Sequence, residues 1–328
     1  MTAVDQAAYP VELQEKVDAY LEGLRFAAEP GTARLEEAMR YSLLAGGKRI
    51  RPVLALATAE AVGRPPEDVL ALAAAIEMIH TYSLIHDDLP AMDDDELRRG
   101  KPTCHVAFGE DVAILAGDGL FAEALRLALA EQQGEPAHVI AAIREVVTAA
   151  GPRGMVGGQF LDVAGAERPD LRAGGDREHP ISLRAGGDRE HPISPRTGGD
   201  REHPISLRRL HELKTGALIA ASVGAVLALE GLDGPATIPF RRFAAELGVV
   251  FQIVDDILDV TGDEAELGKP RGSDERHGKA TYVSVFGLDR ARELAKDSHA
   301  AARAALTEAD GATGRLGQIA DYILTRTT

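Results

Sequence analysis

The sequence predicts an all-α protein with about ten helices around one core. Apolar residues recur at three- and four-residue spacing in one segment after another. No series of alternating apolar and polar residues points to strands. The chain has 328 residues, 45% of them hydrophobic and 27% charged, so a substantial core is expected and wholesale disorder is not.

The elements follow in order. Val11, Leu13, Val17, Tyr20, Leu21, Leu24 and Phe26 place a helix over residues 11–28. Glu29-Pro30-Gly31 ends it, and Thr32 is the expected cap of a second helix through Leu44. A basic turn follows, Gly46-Gly47-Lys48-Arg49-Ile50-Arg51-Pro52. Its glycines permit a tight backbone, and Pro52 suits the first turn of the next helix. Residues 53–62 and 67–89 are rich in Ala, Leu and Ile, and the second run reads as a helix buried nearly all round. Further helical patterns cover about 111–132 and 136–150, where Gly151-Pro152-Arg153-Gly154 intervenes. Next comes Gly157-Gly158-Gln159-Phe160-Leu161-Asp162. Helices are expected again over 207–230, 237–261, 281–308 and 311–326.

One segment departs from this pattern. Residues 174–185, 186–197 and 198–209 are near-copies of Gly-Gly-Asp-Arg-Glu-His-Pro-Ile-Ser-x-Arg-x. Each carries a Gly-Gly pair and a proline, which bar a long helix, and too few aliphatic residues to offset the cost of ordering. A low-complexity surface loop inserted at 166–209 into a single domain of residues 1–328 is the expected arrangement. His179, His191 and His203 repeat with the period, but nothing in the segment converges them on a metal.

Composition excludes several functions. The formal charge of −16 argues against a nucleic-acid surface. Cys104 is the only cysteine, so intramolecular disulfides and multi-cysteine zinc sites are ruled out and a reducing cytoplasmic location is expected. The N-terminal residues show no signal-peptide pattern. Apolar runs break short of the roughly 18 residues that a membrane span needs.

The chemistry is concentrated in two acidic motifs. In the first, Asp87, Asp88, Asp93, Asp94 and Asp95 fall within nine residues, followed by Arg98, Arg99 and Lys101. Carboxylates this close repel one another unless a cation lies between them. The adjoining bases suggest that the cation carries an anion such as a diphosphate. In the second, Asp255 and Asp259 are one helical turn apart among Val249, Val250, Phe251, Ile253 and Val254. A buried like-charge pair is costly unless it is paired or metal-bound. Asp87 and Asp93 are about 240° apart on a regular helix. A bulge at Leu89-Pro90-Ala91-Met92 would return Asp93 to the face of Asp87. Oxygen ligands without soft ones favour Mg²⁺, with Mn²⁺ the alternative. Lys48, Arg51, Lys214 and Lys269 supply further positive charge.

Gly46-Gly47-Lys48-Arg49-Ile50-Arg51-Pro52, Asp87-Asp88-x4-Asp93 with Arg98-Arg99-Gly100-Lys101-Pro102, Gly158-Gln159-x2-Asp162, Lys214-Thr215 and Gln252-x2-Asp255-Asp256-x2-Asp259 occur in this order. The set resembles the trans-prenyltransferases, or polyprenyl diphosphate synthases, and most of all their bacterial short-chain farnesyl diphosphate synthases. The resemblance covers nearly the whole chain except the repeats. It implies an isoprenoid-synthase helical bundle with a central cavity, assembled as a homodimer. It also implies Mg²⁺, three ions per site with diphosphate bound, held by Asp87, Asp93 and Asp255 with Asp88, Asp256 and Asp259 in support. By the same resemblance Arg98, Lys214, Thr215, Gln252 and Lys269 bind the allylic diphosphate, and Lys48, Arg51, His80 and Arg99 bind isopentenyl diphosphate. Asp87, Asp88, Asp93, Lys214, Asp255 and Lys269 are the expected catalytic set.

The implied reaction is head-to-tail condensation of isopentenyl diphosphate with dimethylallyl and geranyl diphosphates. It needs no protein nucleophile, in keeping with the lack of a Ser or Cys catalytic motif. Tyr82 lies five residues before Asp87 and projects toward the helix N-terminus, where an aromatic ring in this family limits the product to farnesyl diphosphate. The alternatives are a geranylgeranyl diphosphate synthase or an inactive partner subunit of a heteromeric synthase; intact acidic motifs oppose the latter. Class I terpene cyclases lack the glycine-rich basic turn. Phosphohydrolases of the histidine–aspartate type need histidines beyond His86 that are missing here.

Overall fold

The computed structural model describes residues 9–26, 29–167, 207–262 and 279–326, apart from the side chains of 164–167. Within them the protein is an all-α bundle. Helices α1 (Val11–Gly23), α2 (Ala33–Leu43), α3 (Ile50–Ala61) and α4 (Leu70–Asp87) form the first half with α5 (Cys104–Phe108) and α6 (Glu110–Glu131). Next come α7 (Pro136–Ala150), α8 (Met155–Glu167), α9 (Leu207–His211), α10 (Ala217–Leu229) and α11 (Ile238–Thr261). The chain closes with α12 (Tyr282–Phe286), α13 (Leu288–Thr307) and α14 (Gly314–Thr325).

Hydropathy decides which helices lie inside. Helices α3 and α10 are buried along almost their whole length, as is the first part of α4. Around them amphipathic helices present one apolar face: α6 packs on α4, α7 on α10, and α13 on α11. Two helical stretches, Pro66–Asp87 and Leu207–Leu229, are long and apolar enough to cross a membrane by composition, more than the broken runs suggest. Yet 67% and 61% of their most apolar windows are buried inside the bundle, which is where their apolar surface goes.

Several local expectations change. Helix α1 ends at Gly23, not residue 28. Thr32 precedes α2 without capping it, because its hydroxyl donates back to the Glu29 carbonyl at 2.9 Å. The helix expected over 281–308 is broken at Gly287, whose φ of 81° no helix accommodates. Thr281 and Ser284 form a reciprocal capping box that starts α12. The expected inserted loop, 166–209, lies largely outside the described residues, but α8 extends to Glu167 and α9 begins at Leu207. Residues 166–167 and 207–209 are therefore helical.

A small hairpin was not expected. Leu97–Arg98 pairs antiparallel with Lys101–Pro102 through Arg99 and Gly100, at φ 53° and 72°. Positive φ at both central positions is the type I′ arrangement, whose twist suits a two-residue connection.

Candidate active site

The first acidic motif is built by the end of α4. The helix does not continue through a bulge; it stops at Asp87, and Asp88 is its cap. Leu89 precedes Pro90 and is therefore disfavoured in helical backbone. The chain instead wraps back on itself, and the Asp93 N–H donates to the Asp87 carbonyl at 2.9 Å. The expected outcome, Asp93 brought beside Asp87, holds by a different route. Both line a polar cavity of about 670 Å³.

Asp88 points elsewhere. It is 3% exposed and accepts from Arg98 Nε at 2.9 Å, with a second close contact to Nη2. It is absent from the lining of the polar cavity, so its carboxylate fixes Arg98 and does not join Asp87 and Asp93. The hairpin then separates the two arginines. Arg98 turns toward the acidic motif, while Arg99 donates to the Gly46 carbonyl in the basic turn. At Gly47, φ is 114° and a β-carbon would lie 2.5 Å from the Arg99 guanidinium, so only glycine fits there.

The basic turn is anchored by a residue the motif did not single out. Arg49 is buried at φ 52° and reaches Asp18 and Glu77 at 2.8 Å each and the Leu43 carbonyl at 2.9 Å. That network leaves Lys48 and Arg51 on either side of it to face the cavity. Arg51 is buried with its guanidinium 5.9 Å from the Phe251 ring centre, and Lys48 sits 5.7 Å over the Tyr322 ring. His80 lies among these bases. Burial, then the charges of Arg51 and Arg99, hold its imidazole well below the usual range, so it is neutral.

The second motif follows the regular helix as expected. Asp255, Asp256 and Asp259 of α11 all line the polar cavity. Asp256 is 1% exposed, accepting from Gln252 Nε2 at 2.8 Å and from the Tyr282 backbone N–H at 2.7 Å. It ties α11 to α12 and to Gln252, which in turn accepts from the Thr215 hydroxyl at 2.8 Å. Asp255 accepts from Arg326 at 2.5 Å, and that guanidinium is stacked 4.3 Å from the Phe251 ring centre.

Lys214 joins the halves. It sits in a π-helical turn, Glu212–Gly216, within the otherwise continuous 207–229 helix, and donates to Asp162 at 2.8 Å. Such a turn re-aims side chains and often marks a functional position. It is seated against Gly158, where a β-carbon would come within 2.3 Å of the Lys214 nitrogen. Burial opposes the Lys214 charge, but Asp162, Asp87 and Asp93 outweigh it and raise its pKa. Asp87 shows the converse. Burial, offset by Lys214 and reinforced by Asp93, pushes its carboxyl up to about 6.

Two cations were missed. Lys279 donates to Asp93 at 2.8 Å, and Arg326 holds Asp255. Each is a single basic residue far along the chain; only Thr281, a cap signal just after Lys279, marks that neighbourhood. Lys269 lies outside the described residues.

The polar cavity continues into a second chamber of about 580 Å³, lined mainly by apolar groups including Met155, Val156, Phe160 and Phe251. Arg51, His80, Asp87, Lys214 and Asp255 stand at the junction of the two. Tyr82 borders the apolar chamber and is backed edge-on by Phe121, with ring centres 5.2 Å apart. His86 packs against Tyr82 at 5.8 Å.

Among the described residues, no three carboxylates or imidazoles converge on one point as a closed metal cage. Mg²⁺ is typically held by one or two carboxylates while waters and substrate phosphates complete its octahedron. The donors present are hard oxygens of Asp87, Asp93, Asp255 and Asp259. A carboxyl lifted to about 6 by burial and a neighbouring carboxylate is one that a cation would relieve.

Comparison with known proteins agrees with this arrangement. The sequence model of the polyprenyl synthetase family matches residues 32–179 and 200–319. The chain is 42% identical to a farnesyl diphosphate synthase of Geobacillus stearothermophilus, over 90% of each chain. It is 40% identical to the large subunit 1 of a heterodimeric chloroplastic geranylgeranyl pyrophosphate synthase of Arabidopsis thaliana, covering 99% of this chain and 80% of that one. Its fold matches a Helicobacter pylori geranyltransferase, solved with magnesium and isoprenyl diphosphate, at a TM-score of 0.76 and 29% identity over 99% and 98% of the two chains.

Proposed function

The chain belongs to the polyprenyl synthetase family, and from that premise we propose that it condenses isopentenyl diphosphate head-to-tail with dimethylallyl and then geranyl diphosphate to give farnesyl diphosphate. One observation carries the reading. Asp87 with Asp93, and Asp255 with Asp259, line one polar cavity with lysine and arginine on its other walls, and that cavity opens into an apolar chamber. A diphosphate with a hydrocarbon tail needs both.

Asp87, Asp93, Asp255 and Asp259 would hold Mg²⁺, three ions per site once diphosphate is present, or Mn²⁺ in its place. The metal supplies neutralisation of charge that develops on the leaving diphosphate. Lys214, Lys279 and Arg98 add fixed positive charge on the same side, and Lys269 is assigned there by resemblance alone. Each is aimed before the reaction begins, through Asp162, Asp93 and Asp88 respectively. Thr215 and Gln252, hydrogen-bonded to each other beside Lys214, orient the allylic diphosphate. Lys48, Arg51, Arg99 and neutral His80 receive isopentenyl diphosphate, whose double bond then attacks the allylic carbon. Arginine forks suit that diphosphate's paired oxygens. The apolar chamber takes the growing chain and excludes the water that would quench a carbocation.

Tyr82, which lines the apolar chamber and is braced by Phe121, is the residue assigned to limit the product to C15. The 40% identity to a geranylgeranyl synthase subunit favours C20 as the second reading. Large apolar residues exposed on α6 and α7, Ile114, Leu115, Leu129 and Ile140, support a homodimer. Buried, unpaired Cys104 suits a reducing cytoplasm. The assay is incubation of purified protein with isopentenyl and geranyl diphosphates and Mg²⁺, followed by mass analysis. Farnesyl diphosphate is expected; release of free geraniol or no consumption of isopentenyl diphosphate would reject the function.

A further inference from the structure

We propose that Tyr9 and Gln14 are positioning residues, which hold the Lys48 turn in place for isopentenyl diphosphate without lining the cavity that receives it. The inference rests on the prenyl-condensing reading of the site and deepens it.

The turn does not hold itself. Gly46, Gly47 and Arg49 all have positive φ, at 84°, 114° and 52°. An arginine in that region is strained, and the strain persists only where the surroundings fix it. Much of that fixing comes from the N-terminal segment. Gln14 Nε2 donates to the Gly47 carbonyl at 3.1 Å, and the Tyr9 hydroxyl donates to the Lys48 carbonyl at 2.5 Å. Asp18 accepts from Arg49 Nε at 2.8 Å. Gly47, Lys48 and Arg49 are thus each held by one side chain from residues 9–18. Gly47, Lys48 and Arg49 line the polar cavity, whereas Tyr9, Gln14 and Asp18 do not. The holders act from behind the turn. They commit the Gly47 and Lys48 carbonyl oxygens to partners outside the cavity, where the partial negative charge of those oxygens does not oppose a diphosphate.

Tyr9 grips Lys48 at both ends. Its hydroxyl takes the main chain. Its ring packs against Tyr322 of α14 with ring centres 4.7 Å apart, and the Lys48 ammonium lies 5.7 Å over the Tyr322 ring centre. Lysine is a compact charge on a flexible stem, so its worth to a diphosphate depends on how far the stem is fixed in advance. Burial, then Tyr322, Glu77 and Asp18, push the Tyr9 hydroxyl's pKa up, so it stays protonated and donating. The allylic side is held by other groups: Asp88, Asp93 and Asp162 aim Arg98, Lys279 and Lys214. Loss of Tyr9 or Gln14 should therefore be felt by one substrate and not the other.

The test uses the full chain and two variants. Tyr9→Phe keeps the ring and removes the hydroxyl; Gln14→Met releases the neighbouring carbonyl and serves if the first fails to fold. Isopentenyl diphosphate and an unreactive geranyl thiolodiphosphate would be titrated separately by calorimetry with Mg²⁺. Each variant should weaken isopentenyl diphosphate about 3–10-fold, the worth of one hydrogen bond, and leave the geranyl analogue within about twofold. In steady-state kinetics KM for isopentenyl diphosphate should rise by a larger factor than kcat falls. Made in a Lys48→Ala background, Tyr9→Phe should weaken isopentenyl diphosphate less than about twofold, because the residue acts through Lys48. Equal weakening of both ligands, weakening of neither, or an undiminished loss without the Lys48 side chain would overturn the assignment. Wild-type protein that binds isopentenyl diphosphate but forms no prenyl product would reject the condensing reading alone, since the titrations do not depend on turnover.

Discussion

The two acidic motifs reach the same cavity by opposite means. The second is legible from helical periodicity alone: Asp255 and Asp259 share a face of α11 because they are four residues apart. The first is not helical at all beyond Asp87, and Asp93 arrives through a turn closed by its own N–H on the Asp87 carbonyl. What they share is a division of labour inside each Asp-Asp pair. Asp88 is turned away to clamp Arg98, and Asp256 is clamped between Gln252 and the Tyr282 N–H. In each doublet one carboxylate, Asp88 or Asp256, is buried and held by neighbouring groups, and the other, Asp87 or Asp255, lines the polar cavity less deeply buried. The neighbours differ as well. Asp87 is enclosed and lifted to about 6, whereas the Asp255 side chain is 42% exposed and already paired with Arg326.

This contrast predicts unequal consequences. Asp87→Ala should cost most, about 10³-fold or more in kcat, and should raise the Mg²⁺ needed for half-maximal rate. Asp255→Ala should cost about 10²-fold, because Asp259 shares its face and its exposure makes its field weaker. Equal losses in steady-state kinetics would erase the distinction between the halves. Asp88→Asn should raise KM for the allylic diphosphate about tenfold, the worth of one charge-assisted hydrogen bond, through a loosened Arg98. Its Mg²⁺ dependence should stay that of wild type; a shifted Mg²⁺ requirement would return Asp88 to the metal site. Tyr82→Ala should lengthen the product beyond C15 with kcat changed less than about threefold, since it alters only the chamber end. An unchanged C15 product would mean that Phe121 alone forms the floor. The smallest effect is expected from removing residues 174–197, two of the repeat copies. The family model matches the chain on either side of residues 180–199, and loop length costs little, so kcat/KM should stay within about twofold; a large loss would give the repeats a working role.

What the sequence reveals about this site follows from the range of each interaction. Periodicity is local, so the helices, the α11 face and the burial of the first part of α4 could be read directly. The hairpin escaped notice because two residues per strand give no alternation; its signal was Arg99-Gly100, a pair suited to positive φ. Pro90 marks an interruption without saying whether the helix resumes, so a bulge and a stop at Asp87 leave the same trace in the sequence. Lys279 meets Asp93 across 186 residues, and Arg326 meets Asp255 across 71. Lone cations at such separations carry no pattern. Arg49 was hidden within its motif for the opposite reason: every base there looked alike, and only burial against Glu77 distinguishes it from Lys48 and Arg51.

The most direct test of the account is a single reaction of purified enzyme with geranyl and isopentenyl diphosphates, run with Mg²⁺ and again after chelation. Farnesyl diphosphate with Mg²⁺, and its disappearance without, is the predicted result. Product formation unaffected by chelation, or none under either condition, would contradict the claim that the two aspartate pairs hold a metal-bound diphosphate between them.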